Sequence, residues 1–158
     1  MKRMRKAKLE EVDLARRWIN ERAKWLKDKN ISQWKRYLNY SATEICMEDY
    51  KNDKLYVLED DENNILGLLS YGDAEDIDKK LWSDWENIKF IHRVIINKDF
   101  EGNKNGQYMI NWAKECASKD GQELRLNCVD GNKYLFNYYK SLGFKYCEKK
   151  LGYNLFKI

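Results

Sequence analysis

Proline is absent from all 158 residues, and histidine occurs once. Without proline, turns fall to glycine, asparagine and aspartate, and no element loses a backbone donor inside its span. His92 and four cysteines that never fall as C-x-x-C give no set with zinc-ligand spacing, so no metal is expected. Cys46, Cys116, Cys128 and Cys147 lie far apart, and no apolar leader or long apolar span accompanies them. Reduced thiols in a cytoplasmic protein without a membrane segment are therefore expected. Charge of one sign is also scarce. Thirty Lys and Arg against 26 Asp and Glu leave +4, too balanced and too dispersed for a nucleic-acid partner. The one basic run, Lys2 to Lys8, reads as a solvated first strand with Met4 turned inward.

What is present is a folding composition: 43% hydrophobic and 14% aromatic residues, six of them Trp. That is enough for one core at this length, so residues 1–158 are expected to form a single domain. Leu9, Val12, Ala15, Trp18, Ile19, Trp25 and Leu26 recur at helical steps and predict one long helix ending near Asn30. Ser41-Ala-Thr-Glu44 has the form of a capping box and opens a second helix through Ile45 and Tyr50. Leu55 to Leu58 and Ile65 to Tyr71 read as a hairpin about Asp60-Asp-Glu-Asn-Asn64. Gly72 to Asn87 reads as a charged surface loop whose Trp82 and Trp85 anchor it in the core.

The chemistry concentrates between Phe90 and Phe144. Phe90 to Ile96 is an apolar strand, with Phe90, His92, Val94 and Ile96 on one side and Ile91, Arg93 and Ile95 on the other. A turn, Phe100-Glu-Gly-Asn-Lys-Asn-Gly106, then feeds a helix whose apolar face is Met109, Ile110, Ala113, Cys116 and Ala117. Strand, glycine turn and helix start suit a phosphate, because main-chain N–H groups and the positive helix end both favour an anion. The second strand, Leu124 to Val129, is followed by Asn132, a short helix, and Tyr139-Lys-Ser-Leu-Gly-Phe144. Closing strands are expected over Lys145 to Glu148 and Tyr153 to Lys157.

That order of parts resembles the acyl-CoA-binding core of the GNAT superfamily of N-acetyltransferases. An asparagine followed seven residues later by Tyr-x-x-x-Gly-Phe is recurrent there, and Asn132 and Tyr139 to Phe144 match it. The resemblance implies an α/β fold with a mixed, strongly twisted sheet of six to seven strands, helices on both faces, and a central splay that admits acetyl-CoA. It also implies direct acetyl transfer to a primary amine of a small molecule or peptide, and it allows a homodimer.

Residue by residue, the resemblance gives the thioester oxygen to the main chain at Val94, the pantetheine arm to Ile95 and Ile96, and the departing thiolate to the Tyr139 hydroxyl. The diphosphate falls to Gly102, Asn103, Lys104, Asn105, Gly106 and Gln107, with Phe136 also on the cofactor; Asn127 and Asn132 each offer a donor and an acceptor to the pantetheine amides, and Asn132 also fits a turn residue that bonds its own backbone. Gln33 and Trp34 resemble a segment near the acceptor pocket of some small bacterial members. His92, on the strand face of Val94, is a base candidate beside deprotonation through water, and also fits a structural hydrogen-bonding role. The family's turn signature departs here: its three positions fall at Glu101, Lys104 and Gly106, and only the last fits, while Lys98 stands where proline is common. A catalytically weak acyl-CoA-binding or regulatory relative is the alternative those departures favour.

Overall fold

The computed structural model describes residues 1–31, 34 and 42–158. Within them the strands β1 (Lys2–Lys6), β2 (Leu55–Asp60), β3 (Ile65–Gly72), β4 (Ile88–Ile96), β5 (Glu123–Val129), β6 (Lys145–Lys150) and β7 (Tyr153–Lys157) form one sheet in the order β1-β2-β3-β4-β5-β7-β6. The sheet is mixed, since β4 and β5 are parallel while β1-β2, β2-β3, β5-β7 and β7-β6 are antiparallel. Among the described residues five α-helices accompany it: α1 (Glu11–Asp28), α2 (Ala42–Lys51), α3 (Asp76–Leu81), α4 (Asn105–Lys119) and α5 (Lys133–Ser141). The expected α/β architecture is the one found. The described chain divides into two compact units, Met1–Tyr71 with His92–Trp112, and Gly72–Ile91 with Ala113–Ile158, so that β4 and α4 each contribute to both.

In the first unit the stripe Val12, Ala15, Ile19, Ala23 and Leu26 of α1 is buried, and its first four residues share one core with Ala42 and Cys46 of α2, Leu55 and Val57 of β2, Leu68 of β3 and Ile95 of β4. Ile19 is wholly enclosed, and its truncation to alanine would cost about 2–5 kcal/mol. Two residues assigned to the stripe from sequence lie outside it. Leu9 precedes the helix and is exposed, and Trp25 falls one position off the stripe, where the Arg22 guanidinium lies 4.8 Å from its ring. On the other side of β2, Tyr56 packs against Trp112 of α4 with ring centroids 4.7 Å apart, so helices cover both faces of this half-sheet. Gly67 of β3 permits a close approach, since a Cβ there would sit 2.9 Å from the Ile95 carbonyl and 3.1 Å from Met109. The hairpin loop is closed by Asp60, whose carboxylate accepts the Glu62 and Asn64 N–H groups at 2.9 Å each. Ser41, the expected cap of α2, lies outside the described residues.

In the second unit Leu124, Leu126 and Cys128 of β5 are buried at alternate positions. The segment expected to be a loop contains α3, which opens on a reciprocal Glu75 and Asp78 capping box. Trp82 is buried and packs with Leu81, Ile88, Phe90 and Leu155, with Trp85 half-buried against them, as core anchors. Arg125 is 3% exposed, bonded to the Asp84 carbonyl at 2.7 Å and its carboxylate at 3.1 Å, and stacks 4.3 Å from the Trp82 ring. β6 closes the sheet as a fully exposed edge, blunted by lysines and a bulge at Cys147.

Candidate active site

The candidate residues fall into two groups, one in each unit. In the first unit β4 leaves the sheet through Asn97, whose N–H bonds the Leu66 carbonyl and whose amide bonds the Ile65 carbonyl, both at 2.9 Å. Its Oδ1 then accepts the Asp99 N–H and starts a 3-10 turn over Lys98–Phe100. Both Asn103 and Asn105 donate back to the Phe100 carbonyl, at 3.2 and 3.1 Å, which folds the turn tightly before α4. Gly102 takes φ +83° and Lys104 φ +56°, so the turn passes twice through the left-handed region. Nothing lies within 4 Å of a Cβ built on Gly102, and Gly102, Asn103, Lys104 and Gln107 are exposed. α4 begins there, and the N–H groups of its first turn have no partner within the helix. An open turn ahead of a 15-residue helix fits an anionic diphosphate.

Asn105 differs from its neighbours. It is buried, and its Oδ1 accepts the Lys2 ammonium at 2.7 Å while Lys2 also bonds the Asn103 carbonyl at 3.1 Å. Its side chain belongs to the scaffold of the turn, which leaves the main chain as its means of meeting a ligand. The Tyr108 hydroxyl donates to the Lys2 carbonyl at 2.7 Å and ties α4 to β1.

On β4 the burial alternation slips by one between Phe90 and Ile91: Ile88 and Phe90 are buried, then Ile91, Arg93 and Ile95, leaving His92, Val94 and Ile96 half-buried. Both faces of the strand are thus covered at Phe90 and Ile91, whereas further on only the face of Ile91, Arg93 and Ile95 is. Further along, Arg93 takes φ +54°, the conformation used by strand bulges. Ile95 faces the core of its unit, so only its main chain is available to a ligand. Beside Ile95 to Asp99 and Glu101 is a cavity of about 160 Å³, lined also by Trp18, Glu21 and Arg22 of α1. Glu21 and Arg22 fall between the buried stripe positions of α1, and no local pattern marks them for this cavity. Trp34 takes φ +63° and packs against the first-unit core, while Gln33 lies outside the described residues.

In the second unit Asn132 is the N-cap of α5: its Oδ1 accepts the Leu135 N–H at 3.2 Å. Phe136 and Tyr139, on the same helix, both pack on Phe156, at 5.2 and 6.2 Å between ring centroids. Tyr139 is buried, edge-on to Phe144, and burial pushes its phenol well above the usual value, so it is a hydrogen-bond donor and not an ionising group at working pH. Asn127 is not gathered with them. Its Oδ1 accepts the Trp82 indole N–H at 2.7 Å and its amide donates to Asp78 at 2.6 Å, which binds α3 to β5.

A parallel strand that runs through an open turn into a helix start, in a mixed sheet, defines an α/β protein suited to a phosphate-bearing ligand. The model of the Acetyltransferase (GNAT) family matches residues 18–144 of the chain. The chain belongs to the GNAT family of acetyltransferases. It is 24% identical over 139 residues to YesJ of Bacillus subtilis (strain 168), an uncharacterized N-acetyltransferase, a match spanning 85% of this chain and 77% of that one. A GNAT-family acetyltransferase structure from Listeria monocytogenes 4b F2365 superposes with TM-score 0.83 at 21% identity, over 99% of this chain and 94% of the other. The PaiA N-acetyltransferase of Thermoplasma acidophilum, solved in complex with coenzyme A, superposes with TM-score 0.73 at 16% identity, over 99% and 98%. Among the described residues no helix is long and apolar enough to cross a membrane.

Proposed function

We propose that this chain transfers an acetyl group from acetyl-CoA directly to a primary amine of a small molecule or peptide. The observation that carries the reading is the turn from Gly102 to Gln107, exposed at Gly102, Asn103, Lys104 and Gln107 and aimed by Asn97, Asn103 and Asn105 into the start of α4. Its main-chain N–H groups would hold the diphosphate, with the Lys104 ammonium beside them. Family membership and a coenzyme A complex of a structural neighbour support acetyl-CoA as the donor. The family match runs through both units, which supports reading 1–158 as one acetyltransferase domain.

In this reading the thioester carbon takes the amine, forming the C–N bond and breaking the C–S bond. The Val94 N–H stabilises the charge on the thioester oxygen, a task worth about 10²–10³ in rate where one donor has been removed from comparable sites. Ile95 and Ile96 present main-chain groups to the pantetheine arm. The Tyr139 hydroxyl donates to the departing sulfur, a role its burial and protonated state suit. The proton lost by the amine leaves through water or His92. Asn132 and Phe136 would line the cofactor, whereas the bonds already made by Asn127 favour a scaffold role for it. Trp34 with Gln33 is the acceptor-side candidate, joined by the cavity at Trp18 and Glu21, whose carboxylate suits a cationic amine.

A second reading, an acyl-CoA-binding regulatory protein, is favoured by Glu101, whose carboxylate stands at the turn, and by the left-handed Lys104. Release of free CoA thiol from acetyl-CoA across a panel of primary amines separates the two. Amine-dependent release is expected, and binding of acetyl-CoA with no release for any amine supports the regulatory reading instead.

A further inference from the structure

The left-handed residue in β4 is an arginine, where neither glycine's freedom nor an Asn-like local bond explains φ +54°. Its guanidinium is gripped by Asp49 of α2, Nε to Oδ2 at 2.8 Å and Nη2 to Oδ1 at 2.9 Å. The two side chains are 1% and 5% exposed, so this is a buried, two-pronged ion pair with fixed geometry. Asp49 is itself held at the end of α2, where its carbonyl accepts the Lys54 N–H at 2.8 Å on the way into β2. Cys46, one turn earlier, is fully enclosed in the same core.

Burying such a pair adds little stability over apolar side chains of similar volume, and breaking it by removing one partner is costly. The fold thus retains a pair that its core could do without, at the one β4 residue whose backbone leaves strand geometry. A left-handed residue rotates the peptide that follows it, and the N–H on that peptide belongs to Val94.

We propose that the Asp49–Arg93 ion pair is a positioning device that holds Arg93 in the left-handed conformation and so aims the Val94 N–H out of the strand pattern toward the thioester oxygen. The pair acts through the main chain and touches no reacting atom. Its chemical consequence rests on the acetyltransferase reading, while its conformational consequence does not.

The test replaces the pair together, Asp49→Leu with Arg93→Met, which keeps the core filled and removes both charges of the pair at once. Expected are a melting temperature near that of the wild type, acetyl-CoA affinity within a few-fold, and kcat lowered about 100-fold, the scale of one lost oxyanion donor. Asp49→Leu with Arg93→Gly is the discriminating partner, since glycine enters the left-handed region without a brace. It is expected to regain much of the lost kcat despite packing worse, whereas a merely structural pair predicts the glycine version to be the poorer in every respect. The HN–Hα coupling of residue 93 in isotope-labelled protein reads the conformation directly, and it should rise to a strand value in the methionine variant. Unchanged kcat with unchanged coupling in that variant overturns the proposal. If the wild type neither binds nor turns over acetyl-CoA, the acetyltransferase reading fails, and the coupling still decides whether the pair sets the backbone.

Discussion

Lys104→Gly is the perturbation whose size follows most directly from the geometry. Lys104 takes φ +56° in the last step before α4, and it is exposed. An L residue in that conformation is strained by roughly 1–2 kcal/mol, because Cβ crowds the following carbonyl. Glycine removes the strain, but it enlarges the freedom of the unfolded chain, which returns about 0.4–1 kcal/mol. The balance is a net stabilisation of about 0.5–1 kcal/mol, and for a chain of this length each kcal/mol moves Tm by about 2–4 °C, so a rise of about 1–4 °C is expected. Scanning calorimetry at fixed pH and salt, with the wild type alongside, reads it. The Asn103 and Asn105 bonds to Phe100 do not involve the Lys104 side chain, so the turn should survive the change. A fall in Tm would mean instead that the lysine side chain contributes more than its backbone costs.

Glu101→Gln should tighten acetyl-CoA binding about three- to ten-fold at low salt and by much less at high salt, because it removes a like charge from the turn; equal Kd values at low salt would place Glu101 away from the diphosphate. Tyr139→Phe is expected to lower kcat at least ten-fold with acetyl-CoA affinity within a few-fold, and unchanged turnover would take the hydroxyl out of the mechanism. Burial raises the Glu11 carboxyl, yet the Arg5 guanidinium and the Lys8 N–H outweigh it and leave Glu11 below its ordinary value. Its contribution to stability is therefore present above the unfolded pKa and lost as pH falls through the folded one. Urea midpoints of the wild type should drop below about pH 4, with a shallower drop in Glu11→Gln; parallel curves would contradict the linkage.

Much of the fold is written locally. The 3- and 4-residue steps from Val12 to Leu26 and the two-residue period of β5 fix helix and strand because each buries one face. The loop reading of Gly72 to Asn87 missed α3, which is six residues long and rich in aspartate, although the Glu75 and Asp78 pair and the Ile77 to Leu81 spacing carried a helix signal. The bonds that Asn127 makes lay in the same gap, since its partners Asp78 and Trp82 are on or next to the missed helix. The left-handed backbone at Arg93 of β4 has no local signal at all. Arg93 has no propensity for positive φ, and its brace lies 44 residues away on α2. The anion-ready turn was legible because glycine spacing and a helix start are both local, whereas Glu21 and Arg22 join a cavity only once α1 packs beside β4.

The most direct test of the account is a calorimetric titration of the protein with acetyl-CoA at moderate salt, with ATP as an anion control. Saturable one-site binding of acetyl-CoA, weakened by added salt, is expected, with no comparable binding of ATP. Absence of acetyl-CoA binding, or equal binding of ATP, would contradict the assignment of the turn from Gly102 to Gln107 as an acyl-CoA site.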